Sequence, residues 1–124
     1  MNVVDSSGWI EYLISSPNAD FFATPIRDSE KLIVPTICLY EVFKRVLLKL
    51  GDDKALKTIG QMSLGTVVDL DRTIAMRAAQ LSLELKLAMA DSIILATARG
   101  YDATLWTQDE HFKGLEGVRY IEKK

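Results

Sequence analysis

Short, wholly apolar runs alternate along the chain with longer stretches whose apolar residues recur at steps of three and four. Asn2-Val3-Val4-Asp5 opens as a strand that ends in a carboxylate. Ser6 and Ser7 stand where helix caps are found, ahead of a helix through Trp9, Ile10, Tyr12 and Leu13. Ser16-Pro17-Asn18 breaks that helix, and a second short one, limited by Pro25, carries Phe21, Phe22 and Ile26. Leu32-Ile33-Val34 reads as a buried strand closed by Pro35, with Thr36 as the N-cap of the next helix. Leu39, Val42, Phe43, Val46, Leu47 and Leu50 then form a helical stripe that Gly51 stops. Asp52 and Asp53 open a helix through Ala55, Leu56, Ile59 and Met62. Thr66 to Leu70 reads as a strand, and Asp71 caps a long helix with Ile74, Ala78, Leu81 and Leu85 on one face. Asp91 begins the last substantial helix, Ser92 to Arg99, which is apolar nearly all round and therefore expected to be buried. Ala103 to Thr107 and Val118 to Ile121 are the final strands, with a turn at Glu110-His111-Phe112 between them.

Strands that are apolar throughout and joined by helices predict an α/β fold, with a central parallel sheet covered by helices on both faces. No repeat, low-complexity tract or linker interrupts the pattern, so residues 1–124 read as one domain. The hydrophobic fraction of 48% excludes a disordered chain. A lone cysteine, Cys38, excludes an internal disulfide and reads as a small core hydrophobe. With one histidine besides, the chain lacks the ligands of a structural zinc site. Thr58 to Val68, the longest run free of charge, is too short and too polar to span a membrane. No secretory leader is visible ahead of Arg27, so a cytoplasmic location is expected.

Fifteen basic against seventeen acidic residues give a net charge of −2, which offers no overall basic footprint for nucleic acid. Lys44, Arg45, Lys49, Lys54 and Lys57 nevertheless crowd one stretch, either a solvated helical face or an RNA or partner surface. Glycine-rich phosphate loops and the nucleophile elbow of serine hydrolases are absent. His111 has no nucleophile motif beside it and reads as a surface residue. Gly114 and Gly117 enclose Glu116, whose charge would repel the phosphates that a Gly-x-x-Gly loop clamps in RNA. Trp9 and Trp106 read as core or interface anchors.

The remaining chemistry is acidic. Asp5 ends the first strand, Glu41 follows the second, Asp91 starts a buried helix and Asp109 follows the strand that holds Thr107. Parallel α/β sheets gather ligands at the carboxyl ends of their strands, so these four carboxylates can meet there. Such a cluster stays ionised only beside a compensating charge. Mg²⁺ prefers oxygen ligands, lowers the pKa of a bound water and offsets charge building on a phosphate. Taken singly the residues are plainer. Asp91 reads as a helix N-cap, Asp5 as a turn residue, Asp109 as a turn or cap residue, and Glu41 as a partner for Arg45 one turn on.

Four segments in this order resemble the PIN-domain ribonucleases, and among them the VapC-type toxins of prokaryotic toxin–antitoxin pairs. They are Val3-Val4-Asp5-Ser6-Ser7, Pro35-Thr36-Ile37-Cys38-Leu39-Tyr40-Glu41-Val42, Ala90-Asp91-Ser92-Ile93-Ile94-Leu95-Ala96-Thr97-Ala98 and Leu105-Trp106-Thr107-Gln108-Asp109-Glu110-His111-Phe112. The resemblance extends from residue 3 to 121. It implies a Mg²⁺- or Mn²⁺-dependent endoribonuclease in which Asp5, Glu41 and Asp91 hold the metal, with Asp109 directly or through water. Thr107 and Ser6 would orient waters or ligands. It further implies an RNA substrate, a homodimer and a small antitoxin protein that occludes the cleft. The apolar first two helices, with Trp9, Phe21 and Phe22, leave room for such surfaces. Two departures are mild: Ser6-Ser7-Gly8 replaces the commoner opening, and Gly8 is expected to loosen the first turn. The alternative is a PIN-like module that binds RNA or protein without cutting, against which the intact acidic set argues. A phosphoacceptor domain would want an acidic pair after its first strand, where serines stand here. A DNA nuclease of the same superfamily is separated from a ribonuclease by comparing substrates.

Overall fold

A computed structural model describes all 124 residues. Five strands form one parallel sheet: β1 (Asn2–Val4), β2 (Leu32–Pro35), β3 (Thr66–Val68), β4 (Thr104–Thr107) and β5 (Val118–Tyr120), in the order β3-β2-β1-β4-β5. Six helices flank it: α1 (Ser6–Leu13), α2 (Ala19–Arg27), α3 (Thr36–Leu50), α4 (Asp52–Met62), α5 (Arg72–Leu85) and α6 (Met89–Gly100). Register places Val3 beside Ile33 on one side and Leu105 on the other, and all three side chains are buried. That is why these strands carry no alternation: both faces are covered.

The order reverses at β1. From β1 the chain moves out through β2 to β3, then crosses back to β4 and on to β5. Adjacent strands β1 and β4 thus send their connections in opposite directions, which opens a crevice at their carboxyl ends. Asp5 follows β1 and Gln108-Asp109 follows β4. A backbone bond from Asp5 N to the Trp106 carbonyl, 3.2 Å, pins the two ends together.

Several local expectations shift. Asp5 itself caps α1, its carboxylate accepting from Gly8 N at 2.8 Å, and Ser6 is the first helical residue. Pro35 takes the cap position of α3 and Thr36 its first turn, because proline's fixed φ suits an extended residue just outside a helix. α6 begins two residues before Asp91, so Asp91 lies in the first turn and caps nothing. β3 stops at Val68, leaving Leu70 exposed. On α3 the buried line is Cys38, Val42 and Val46, while Leu47, Leu48 and Leu50 stay exposed in the last turns. Asp71 caps α5 as its position predicts, accepting from Ile74 N at 2.8 Å.

Trp9 and Phe22 are core residues, and Phe21 packs edge-on against Phe22 and at a tilt of 55° against Trp106. Of the aromatics on the first two helices, Trp9 and Phe22 are thus taken up by the core, while Tyr12 and Phe21 are half-buried. Exposed apolar side chains lie instead on α3, α4 and α5, among them Leu48, Leu50, Leu56 and Leu83. Gly8 tightens the first turn rather than loosening it. A Cβ there would lie 2.6 Å from the Phe22 ring and 2.8 Å from Val4. Gly8→Ala is expected to cost about 2 kcal/mol through this overpacking. It should also displace the amide that Asp5 accepts from. A urea midpoint unchanged from wild type would show that the helix can retreat without loss.

Candidate active site

A cleft of about 410 Å³ opens at the carboxyl end of the sheet, between α1 and α3. Asp5, Glu41, Asp91 and Asp109 all line it. The four residues lie 36, 50 and 18 positions apart in sequence, and the parallel topology alone brings them together.

Asp5 is 4% exposed and fully engaged. One oxygen accepts from Gly8 N and the other from Thr107 Oγ1 at 2.6 Å, while Ser7 Oγ lies 3.1 Å from both. Burial pushes its pKa up to about 6; the hydrogen bonds from Thr107, Gly8 and Ser7 oppose this, and the nearby Asp109 charge adds to it. Asp91 is also raised, first by burial and then by the charges of Asp109 and Glu41, with His111 acting the other way. No protein hydrogen bond stabilises the Asp91 charge; its one basic neighbour is His111 Nδ1, at 3.9 Å. Glu41 makes no ion pair with Arg45. Its Oε1 accepts from Ser6 Oγ at 2.6 Å, which turns the carboxylate toward the other acids.

Thr107 joins two of the four acids. Its hydroxyl donates to Asp5 and accepts from Asp109 N at 2.9 Å. Thr107→Val keeps the shape and removes both bonds, and is expected to cost about 2 kcal/mol because a buried carboxylate loses a donor. Thr107→Ser should recover most of that loss in the same urea titration; a valine variant as stable as wild type would mean that Asp5 finds another donor.

Two features were hidden in the sequence. His111 lies beside the acids, its Nδ1 3.0 Å from Asp109 Oδ1, although its side chain is 74% exposed. Ligand atoms of Asp91, Asp109 and His111 lie within 4.8 Å of one another. The Asp109-x-His111 spacing was the available signal, since a short 3₁₀ turn over Glu110–Phe112 folds both residues to one side. The second is a buried polar group behind the site. Glu11 accepts from Gln108 Nε2 and Asn18 N, both at 3.2 Å, and Asn18 Nδ2 donates to Gln108 Oε1 at 2.9 Å. Asn18 also reaches the Glu122 carbonyl, so α1 and the chain's last residues together hold the loop that carries Asp109. Cys38 is wholly buried, its thiol pushed up by burial and donating to the Val4 carbonyl.

The donor set suits a hard divalent cation. Carboxylate oxygens dominate it, two of the acids resist ionisation without added positive charge, and Asp91 has no hydrogen-bonded partner to offset its charge.

Comparison with known proteins bears on this arrangement. Among curated proteins, none matches the sequence. Solved structures do match in fold. One is a toxin–antitoxin complex from Klebsiella pneumoniae, at 23% identity and TM-score 0.83, covering 96% of each chain. Another is FitAcB from Neisseria gonorrhoeae, at 22% identity and TM-score 0.75, covering 98% of this chain and 97% of that one. A third is VapC20 from Mycobacterium tuberculosis, a sarcin–ricin-loop-cleaving toxin, at 13% identity and TM-score 0.74, covering 94% and 95%. The model of the PIN domain matches residues 3–118, from β1 through the first residue of β5 and across all four acidic positions. The chain belongs to the PIN domain family.

Proposed function

We propose that this chain is a divalent-metal-dependent endoribonuclease and the toxin of a toxin–antitoxin pair. The convergence of Asp5, Glu41, Asp91 and Asp109 on one cleft at the switch point of the sheet carries the reading. These four carboxylates would hold the cation. Bound there, Mg²⁺ or Mn²⁺ would supply the positive charge that a scissile phosphate gathers as its bond breaks. The protein's own part is to place the acids. Thr107 fixes Asp5 against Asp109, Ser6 turns Glu41 inward, and the Glu11–Gln108–Asn18 group steadies the loop behind Asp109. His111 holds Asp109 from the open side; were its imidazole to enter the shell, Mn²⁺ would be favoured over Mg²⁺.

The toxin role draws on two of the similar structures, a toxin–antitoxin complex and a sarcin–ricin-loop-cleaving toxin. A small antitoxin covering the cleft, and a second copy of the chain covering the exposed leucines of α3 to α5, fit the apolar surface left free. Residues 1–124 would act as one PIN-like unit in the cytoplasm; no helix is long and apolar enough to cross a membrane.

The test is cleavage of total cellular RNA by purified protein, with Mg²⁺ or Mn²⁺ and with chelator, against single- and double-stranded DNA. Discrete RNA fragments that require metal are expected. A folded, metal-loaded protein that binds RNA and leaves it whole would establish the non-catalytic reading instead.

A further inference from the structure

The four acids of the cleft are not equally committed within the protein. Both oxygens of Asp5 accept hydrogen bonds, from Gly8, Thr107 and Ser7, and Glu41 accepts one from Ser6. Asp91 has only His111 Nδ1 near it, at 3.9 Å, and Asp109 accepts from the backbone N–H of His111 at 2.9 Å. The least committed carboxylates thus stand together, and the chain's one imidazole stands with them. His111 Nδ1 lies 3.0 Å from Asp109 Oδ1, and one ligand atom from each of the three residues lies within 4.8 Å of the others. Neighbouring ligands on a six-coordinate ion with bonds of about 2.1 Å are about 3 Å apart, and opposite ones about 4.2 Å. The contacts of Nδ1 with Asp109 and Asp91 fall in that range. The ring is not needed to hold the loop. The His111 N–H already closes the turn on Asp109 Oδ1, and Phe112, wholly buried, anchors the next residue. The His111 side chain is 74% exposed, so core packing does not call for histidine there either. What a nitrogen ligand adds is selectivity. Mg²⁺ keeps to oxygen and water, whereas imidazole suits transition-metal ions, with affinity rising from Mn²⁺ through Co²⁺ to Ni²⁺.

We propose that His111 is a ligand, through Nδ1, of the cation that Asp91 and Asp109 hold, and that this nitrogen makes the cleft select a transition-metal dication over Mg²⁺. The proposal rests on the reading of the acids as the cation site of a nuclease, and it specifies the class of cation that the site takes.

The test uses the full chain without a histidine tag, so that His111 is its only histidine. Mn²⁺ affinity is read from the EPR signal of the free ion, and Mg²⁺ and Co²⁺ affinities from displacement of Mn²⁺. His111→Ala is expected to weaken Mn²⁺ binding about tenfold, Co²⁺ binding by more, and Mg²⁺ binding by less than about threefold. His111→Gln keeps a donor for Asp109 and should not recover the difference. Pulsed EPR of the bound Mn²⁺ should show a directly coordinated imidazole nitrogen in wild type, altered by labelling with ¹⁵N-histidine and lost in both variants. A fall in affinity equal for the three ions, or its recovery in His111→Gln, would mean that His111 only places Asp109, and would overturn the proposal. Unchanged affinities would overturn it too. So would a wild-type spectrum without imidazole nitrogen, which decides the matter even where a variant fails to fold. None of these readouts involves RNA, and wild type is assayed for RNA cleavage in parallel, so the two readings fail separately. A wild type that cuts RNA but shows no imidazole nitrogen removes only the role of His111. One that binds Mn²⁺ through His111 and leaves RNA whole removes only the nuclease.

Discussion

Asp91→Asn is expected to reduce metal-dependent RNA cleavage roughly a thousandfold, the scale on which loss of one charge-stabilising group in a closed site is felt. The same change is expected to leave the metal-free protein more stable than wild type at pH 7. Both effects have one cause. Asp91 stands in the first turn of α6 with burial and the charges of Glu41 and Asp109 all opposing its ionisation. A carboxyl whose folded pKa is raised destabilises the fold wherever it is ionised, so removing the charge relieves the repulsion. Asparagine keeps the volume, and Asp91 has no hydrogen bond to lose. The checks are single-turnover cleavage in saturating Mn²⁺ and urea unfolding in chelator. Cleavage within tenfold of wild type would remove Asp91 from the metal site. A clear fall in the urea midpoint would mean that its charge is already balanced within the protein.

The charges that raise the pKa of Asp91 come from residues distant in sequence, and that separates what was legible in the sequence from what was not. The sheet was readable because β1, β2 and β4 are apolar on both faces, and only a covered parallel sheet uses such strands. The four acids were readable as strand-end and helix-start residues, and a resemblance in four ordered segments tied them together. Their hydrogen bonding was not readable. Glu41 had a local candidate in Arg45, one turn on along its own helix, whereas Ser6 is 35 residues away in sequence, and the packing of α1 against α3 brings it across the cleft. Asp5 doubles as a cap because it is the single residue between the end of β1 and the start of α1, so Ser6 and Ser7 already lie within the helix. Glu11 stands between Ile10 and Tyr12 on α1, with nothing local to mark it as buried. It is buried because Gln108 and Asn18, distant in sequence, supply its donors. Lys44 and Arg45 joined one basic run with Lys49, Lys54 and Lys57, and the cleft separates the first two from the rest.

Metal binding is expected to reverse the pH dependence of stability that Asp5 imposes. Its pKa is about 6 in the folded protein against a usual carboxyl value of 3.8. Between those values the native state holds the proton and the unfolded state has released it, so stability falls as pH rises from 4 to 6 and is level above. For this one group the loss is about 3 kcal/mol. In a domain of this size that corresponds to a fall of about 10 °C in Tm. A cation bound by Asp5 favours the ionised form and displaces the proton, so saturating Mn²⁺ should abolish the fall. Below pH 6 the apparent affinity for Mn²⁺ should drop about tenfold per pH unit for each proton displaced. Asp5→Asn isolates the effect from other titrating groups. Asparagine is as good an N-cap as aspartate, so α1 keeps its start while the titration is lost. The measurement is Tm from pH 4 to 7, with chelator and with Mn²⁺, for both proteins. In chelator the wild-type curve should descend across pH 4 to 6 relative to the variant, and in Mn²⁺ it should rise above it. Parallel curves in chelator would show that Asp5 is ionised throughout without a metal, its burial already offset by Thr107, Ser7 and Gly8.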